Sequence, residues 1–340
     1  MDLVKVLVVD DSALMRKILS DIINSQENMI IVSTARDGEE ALKKVELYNP
    51  DIVTMDIEMP KLNGLEALKE IKKKNYNCNV IMVSSASRHI ADITIECLNQ
   101  GAFDFIEKPT GTNFTNLYKI ETELIKKIKA SLKVVKKKTV SINNQTIKHI
   151  NKSCKVEAIV LGASTGGPRA LHEVITNLPG NLDVPIFVVQ HMPANFTKAF
   201  AERLNLNSKL KVVEAKQNDI IEKNCVYIAP GDYHMVIEDK KYISLNKEPN
   251  IWGVRPAVDK LFISASNVYK NKLVSVILTG MGRDGTEGSV FVKDAGGITI
   301  SEDESTCTIY GMPKMAFNTG KIDIVLPINE ISNYLTKLTE

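Results

Sequence analysis

Apolar positions along the first 110 residues fall into short β-branched runs separated by amphipathic stretches. The runs are LVKVLVV (3–9), MIIVSTA (29–35), DIVTM (51–55), NVIMVSS (79–85) and FDFI (103–106). Between them, apolar residues recur at helical spacing near 13–25, 37–48, 64–74 and 90–100, and a fifth such segment begins near 113. Strands that are apolar almost throughout, alternating with amphipathic helices, predict an α/β unit with a parallel sheet covered on both faces. In such sheets functional groups gather at the carboxyl ends of the strands.

From 111 to 155 the pattern decays. KIETELIKKIKASLKVVKKK continues the fifth helix with a cationic face, and TVSINNQTIKHINKSCK is polar and aperiodic, as expected of a helix tail and then a linker. After 155 the rhythm resumes with VEAIVLGAS, VPIFVVQH and LVSVILTGMG. VYIAP, YHMVI and YISL are punctuated by Pro, Gly and Asp and read as hairpins or insertions. The expected organisation is a first domain over 1–125, a Lys-rich helix tail and linker over 126–155, and a second domain over 156–340. That second domain is expected to be doubly wound, mainly parallel α/β.

Length agrees, since 340 residues suit two domains with a core each. Charge changes the picture more. The net +2 divides into −5 over 1–110, +9 over 111–155 and −2 over 156–340. The lysine run reads as a solvated helix face rather than an anion site. The acidic second domain has no basic recognition helix, which argues against a DNA-binding output domain or a nucleic-acid partner. No run of about 18 apolar residues exists to insert in a membrane. MDLVKVLVVDDS lacks the basic start and long apolar stretch of a signal peptide. The scattered Cys78, Cys97, Cys154, Cys225 and Cys307 read as reduced, mostly buried thiols of a cytoplasmic protein.

Asp10 and Asp11 end the first predicted strand and Asp56 ends the third. If those strands are neighbours, three carboxylates converge at one sheet edge and need a cation; Mg²⁺ takes such oxygen ligands and leaves room for water and phosphate. Ser84 ends the fourth strand, suited to hydrogen-bond a phosphoryl oxygen, and Lys108 ends the fifth as a point charge. Carboxylate nucleophile, metal, hydroxyl and ammonium together describe phosphoryl transfer onto an aspartate. Any one of these residues more simply caps a turn; five at successive or neighbouring strand ends do not. VVDDS, DIEMP with the following NGL, MVSSA and the KP pair resemble the receiver domain of bacterial response regulators, over about 3–125. The resemblance implies a flavodoxin-like (βα)5 fold, phosphorylation of Asp56 by a histidine kinase, and Mg²⁺ held by Asp10, Asp11, Asp56 and the Glu58 carbonyl. It also implies phosphoryl sensing by Ser84 and Lys108, with Phe105 at an aromatic switch position.

In the second domain, VEAIVLGASTGGP is a strand followed by a glycine-dense turn. Gly162-Ala163-Ser164-Thr165-Gly166 fits G-x-S-x-G, which exposes a serine hydroxyl on a tight strand-to-helix turn. Backbone N–H groups at the following helix start are suited to an oxyanion. Such a turn equally cradles a phosphate or nucleotide, although the spacing G-x-x-x-G-G is not the dinucleotide fingerprint and no G-K-[ST] follows. A nucleophilic serine needs a base. His89 lies in the first domain, His149 in the linker and His172 on the helix after the serine turn; His234, in APGDYHMVI, remains possible. His191 directly ends VPIFVVQ, and Asp284 follows another apolar run in LVSVILTGMGRDG. Three strand ends thus offer Ser164, His191 and Asp284 as nucleophile, base and orienting acid. The order Ser–His–Asp excludes the α/β-hydrolase fold, in which the acid precedes the histidine.

LGASTGGP, QHMPANFTKAFAERLN, YIAPGDYHM, RPAVDKLF, ILTGMGRDG and YGMPKMA resemble the catalytic domain of the chemotaxis protein-glutamate methylesterases, over about 156–338. Receiver, linker and esterase stand in that family's order. The resemblance implies the same triad, with the Met281 amide as an oxyanion donor, Thr165 in support and Arg255 near the site. It implies hydrolysis of glutamate methyl esters on chemoreceptors with release of methanol, deamidation of receptor glutamines as a second activity, and no cofactor for the esterase step. Phosphorylation of Asp56 is expected to relieve inhibition by the receiver. The competing expectation is a response regulator whose second domain binds a phosphate or nucleotide without catalysis. Trp252, in NIWGVRP, is expected to pack beside the site rather than to recognise substrate.

Overall fold

The computed structural model describes residues 3–85, 87–108, 114–135 and 155–340. The chain divides into two compact units, Met1–Thr139 and Val140–Glu340. In the first, strands β1 (Val4–Val9), β2 (Met29–Ala35), β3 (Ile52–Asp56), β4 (Asn79–Ser84) and β5 (Asp104–Glu107) alternate with helices α1 (Ala13–Asn24), α2 (Gly38–Tyr48), α3 (Gly64–Lys73), α4 (Arg88–Asn99) and α5 (Phe114–Val135). These are the elements that the apolar pattern predicts. The helix starts are written in the sequence as well: Ser12, Asp37, Asn63 and Ser87 each accept a hydrogen bond from an N–H of the first turn they cap, worth about 1 kcal/mol per cap. The sheet is parallel in the order β2-β1-β3-β4-β5, a flavodoxin-like arrangement. Val9 lies opposite Met55, so the residues that follow β1 emerge beside the end of β3. Helix α5 continues to Val135, into the expected helix tail. Residues 136–154, with the expected linker, His149 and Cys154, lie outside the described residues.

The second unit begins with β6 (Ala158–Ala163), α6 (Gly167–Thr176), β7 (Ile186–Gln190), α7 (Phe196–Asn207), β8 (Lys211–Glu214) and β9 (Cys225–Ile228). The punctuated middle forms an antiparallel hairpin, β10 (His234–Ile237) and β11 (Ile243–Asn246). Then follow α8 (Val258–Tyr269), β12 (Leu273–Ile277), α9 (Thr286–Asp294), β13 (Ile298–Glu302), α10 (Met312–Phe317), β14 (Ile324–Leu326) and α11 (Ile328–Thr339). Seven strands form one sheet in the order β14-β13-β12-β6-β7-β9-β8, and every pairing in it is parallel.

Strand β6 is the switch point of this sheet: the chain leaves it for β7 on one side and later returns as β12 on the other. Crossovers that diverge in this way open a crevice at the carboxyl ends of the strands. The wall behind the crevice is firm. Phe187 and Phe262 are fully buried, Phe187 stacks on Tyr227 with centroids 5.7 Å apart, and each such side chain contributes roughly 1.5–3 kcal/mol by burial. Gly162 lets α8 press onto β6, since a Cβ there would lie 2.4 Å from Val258 Cγ1. Among the described residues, no helix is long and apolar enough to cross a membrane. Cys78, Cys97, Cys225 and Cys307 are buried free thiols, and burial pushes Cys78 up to about 11.

Candidate functional site

Two sheet edges carry clustered chemistry. At the first, Asp10 follows β1 and Asp56 ends β3, and carboxylate oxygens of Asp10, Asp11 and Asp56 lie within 4.8 Å of one another. Asp10 and Asp56 are buried while Asp11 is exposed. Lys108, beyond β5, places its ammonium 2.8 Å from Asp56 Oδ2 and 3.0 Å from Asp10 Oδ2. One ammonium does not balance the cluster. Burial, joined by the Asp10 charge, pushes the Asp56 carboxyl up to about 6 against the pull of Lys108. Arg16, a cation that the sequence reading passed over, donates to the carbonyls of Asp10 and Asp11 and not to their carboxylates. Asp10 Oδ2 is buried, and among the described residues only the Lys108 ammonium, 3.0 Å away, answers it. Hard oxygen ligands and excess negative charge fit a divalent cation such as Mg²⁺.

Glu58 is exposed and, with Asp11, Met59, Asn63 and His89, lines a surface cleft of about 400 Å³. Ser84 is fully buried at the end of β4, its hydroxyl 2.7 Å from that of Thr94. Phe105 is buried in β5, with the Lys127 ammonium 5.3 Å from its ring centroid.

At the second edge, β6, β7 and β12 are neighbours, and they deliver Ser164, His191 and Asp284. His191 Nε2 lies 2.7 Å from Asp284 Oδ2. That leaves Nδ1 as the nitrogen for the serine, the reverse of the serine-protease arrangement, where Nδ1 faces the acid. No hydrogen bond joins Ser164 to His191 in this structure; such contacts commonly tighten only when substrate binds. The two strand ends are tied by Gln190, whose side-chain amide donates to the carbonyls of Ser164 and His191, both at 3.0 Å.

Asp284 lies where α8 and α9 begin. Its carboxylate accepts from the N–H groups of Val258 (2.6 Å), Asp259 (2.9 Å) and Gly285 (2.9 Å). Helix N-termini carry partial positive charge. Burial alone raises this carboxyl, but the His191 contact and the amides overcome it and hold Asp284 below the ordinary carboxylate range. Its charged form, the one that orients an imidazole, is thereby secured.

The turn itself suits an acyl group better than a phosphate. Gly166 has φ +80°, and the space of its missing side chain is filled by Thr308, 2.4 Å from a built Cβ. A Cβ on Gly167 would lie 2.0 Å from Gln190 Oε1, a buried acceptor without a donor that disfavours an anion there. Gly280 packs against Ser164, with a Cβ only 2.8 Å from Ser164 Cβ. The next amide, that of Met281, donates to no acceptor among the described residues, as an oxyanion donor requires. Thr165 is buried, and its carbonyl accepts from Thr279 Oγ1 at 3.0 Å.

Arg255 donates to the carbonyls of Lys247 and Glu248, fastening the loop ahead of α8. His234 is not available as a base. It is buried, it accepts from the Ala257 N–H at Nδ1, and Nε2 faces the Pro249 carbonyl at 3.2 Å. Burial depresses its basicity. Trp252 does not pack in the interior: it is exposed, and its indole N–H donates to Asp259 Oδ2 at 3.0 Å.

Sequence reasoning missed two buried acids. Asp259, beside Asp284, is pushed up to about 6 by burial and by the Asp284 charge. Glu302 ends β13 and accepts from the Thr279 N–H at 2.7 Å; burial pushes it up to about 7. The signal that picked out Asp56, an acid at the end of an apolar strand, was also present at Glu302.

Comparison with known proteins matches both units. The family model described as CheB methylesterase matches residues 159–335, and the response regulator receiver domain matches residues 6–119. A Clostridium acetobutylicum protein named protein-glutamate methylesterase/protein-glutamine glutaminase is 49% identical over 341 residues, covering 99% of this chain and 98% of its own length. A Thermotoga maritima protein of the same name is 47% identical, covering 98% of each. The crystal structure of the Thermotoga maritima CheB methylesterase catalytic domain has a TM-score of 0.53 at 46% identity, covering 54% of this chain and all of that one.

Proposed function

Since this chain belongs to the protein-glutamate methylesterase/protein-glutamine glutaminase family, with a response regulator receiver domain ahead of the esterase, we propose that it is a phosphorylation-activated serine hydrolase of chemotaxis adaptation. It removes methyl groups from glutamate esters on chemoreceptors and deamidates receptor glutamines. Ser164 is the nucleophile: its Oγ attacks the ester carbon while His191 Nδ1 takes the proton. The Met281 amide, supported by the Thr165 turn, meets the developing oxyanion. His191 then gives its proton to the departing methanol, and a water deprotonated by His191 hydrolyses the acyl-serine to glutamate. Asp284 fixes the ring and stabilises the imidazolium. With glutamine the same steps release ammonia.

The single observation that carries this reading is the 2.7 Å contact of His191 Nε2, directly after β7, with Asp284, which lies between β12 and α9. Upstream, the chemotaxis histidine kinase is the phosphodonor and Asp56 the acceptor. Asp10, Asp11, Asp56 and the Glu58 carbonyl would hold Mg²⁺, which supplies charge neutralisation for the incoming phosphoryl group. Lys108 and Ser84 respond to the new charge, and Phe105 follows. Methanol release from methylated receptor membranes, with and without a phosphodonor, tests the whole scheme. Wild type should respond to the donor, Asp56→Ala should not, and Ser164→Ala should release none. Turnover retained in Ser164→Ala would overturn the triad.

A further inference from the structure

Next to the catalytic acid stands a pair that the mechanism does not use. Trp252 is 53% exposed and has a left-handed backbone, φ +53°. Its loop is clasped by reciprocal hydrogen bonds between Ile251 and Val254 (3.1 and 3.0 Å). The indole N–H reaches inward to Asp259, whose own N–H binds Asp284 Oδ1. The ring is therefore fixed two hydrogen bonds from the acid of the triad. Over its face lies the guanidinium of Arg283, 4.5 Å from the ring centroid. Arg283 immediately precedes Asp284 in the chain, so the pair stands at the rim of the same sheet edge. It is exposed, and among the described residues no carboxylate pairs with it. Asp284 does not require that charge, since three amides and His191 already answer it.

We infer that the Arg283–Trp252 pair is a substrate-recognition rim, where Arg283 holds a carboxylate of the glutamyl protein surface while a neighbouring ester occupies the triad. The inference rests on the methylesterase function proposed above and specifies what that site recognises. A surface that bears glutamate esters gains one carboxylate at each turnover, so the face presented for the next is anionic. A guanidinium fork matches a carboxylate bidentately. Stacking on an aromatic face holds it in place in advance, which lowers the ordering cost of the contact. The exposed indole also offers an apolar surface to the methylene stems of glutamyl side chains.

The full chain is assayed on two substrates, methylated receptor membranes and the small uncharged γ-methyl ester of N-acetylglutamic acid amide. The quantity read is the ratio of the two kcat/KM values. In Arg283→Gln the ratio should fall about tenfold, through KM for the membranes; in Arg283→Lys, which keeps charge but not the fork, it should fall less. Added salt should raise KM for the membranes steeply in wild type and weakly in Arg283→Gln. A ratio unchanged within about twofold overturns the inference, as does an equal loss on both substrates, which would mean that Arg283 merely supports the triad. A wild-type chain that hydrolyses the small ester but releases no methanol from the membranes overturns the proposed function itself.

Discussion

Both units carry their chemistry at the carboxyl edge of a parallel sheet, and the acids there are answered differently. In the first, Asp10, Asp11 and Asp56 meet one ammonium, and Asp56 remains pushed up to about 6. In the second, Asp284 is equally buried, yet it is held below the ordinary carboxylate range by His191 and by amides where two helices begin. Backbone dipoles are part of the fold and need nothing from outside. A deficit of cationic charge can be filled only by a cation or a proton. Two parallel sheets thus build one edge whose acid is answered from within the fold and one that waits for an input, as the proposed enzyme site and switch require.

The largest effects should come from breaking the self-sufficient edge. Ser164→Ala should lower methanol release by about 10⁴-fold or more, with circular dichroism unchanged. Asp284→Asn should lower it by roughly 10³-fold, because an amide cannot accept from three N–H groups while keeping the His191 tautomer. If Asp284→Asn retains activity within about tenfold, the amide cradle is structural and the imidazole needs no charged partner.

The edge that waits was the more legible of the two. Its residues are strand-end acids and a strand-end lysine, which periodicity alone locates once β1 and β3 are neighbours, as Val9 opposite Met55 makes them. The proposed triad was legible for the same reason, with Ser164, His191 and Asp284 each following an apolar run. What the sequence could not disclose depends on helix placement. The amides of Val258 and Asp259 reach Asp284 only because α8 packs onto β6 at Gly162. The use of Nε2 rather than Nδ1 toward the acid is a rotamer, which no pattern encodes. The loop around Trp252 looked like packing because an aromatic between an isoleucine and a glycine gives no sign that its N–H points inward.

A sharper probe of the deficit is Lys108→Ala. Removing the only ammonium bonded to Asp10 and Asp56 among the described residues should cost the first unit about 2–3 kcal/mol in chelator, allowing for partial exposure of that side chain. Mg²⁺ at about a hundred times its dissociation constant should return most of this, since binding at that level stabilises by roughly 2.7 kcal/mol. Hydrogen exchange of the β1 and β3 amides reads the first unit apart from the second. If Mg²⁺ stabilises neither wild type nor Lys108→Ala, the cluster is no cation site.

Glu302 breaks the contrast between the edges in a smaller way, for it is an unmet acid in the self-sufficient one. Thr279 and Thr306 bond its oxygens, the Cys307 thiol faces its carbonyl, and the neighbouring Asp303 charge adds to the burial that pushes it up to about 7. Its unfolded value is near 4.5, so between these values the folded state binds the proton that the unfolded state has released. Stability therefore falls as pH rises through this window, by roughly 2 kcal/mol between about pH 5.5 and pH 7.5. Glu302→Gln keeps the shape and the acceptor for Thr279 but has no proton to lose, so this part of the pH dependence should vanish in denaturation followed by Trp252 fluorescence. Parallel curves for wild type and variant would mean that Glu302 is ionised in the folded state. If the curves diverge as expected, the second edge answers its acids with amides at Asp284 and with a proton at Glu302, whereas the first leaves Asp10 and Asp56 to one ammonium and a cation.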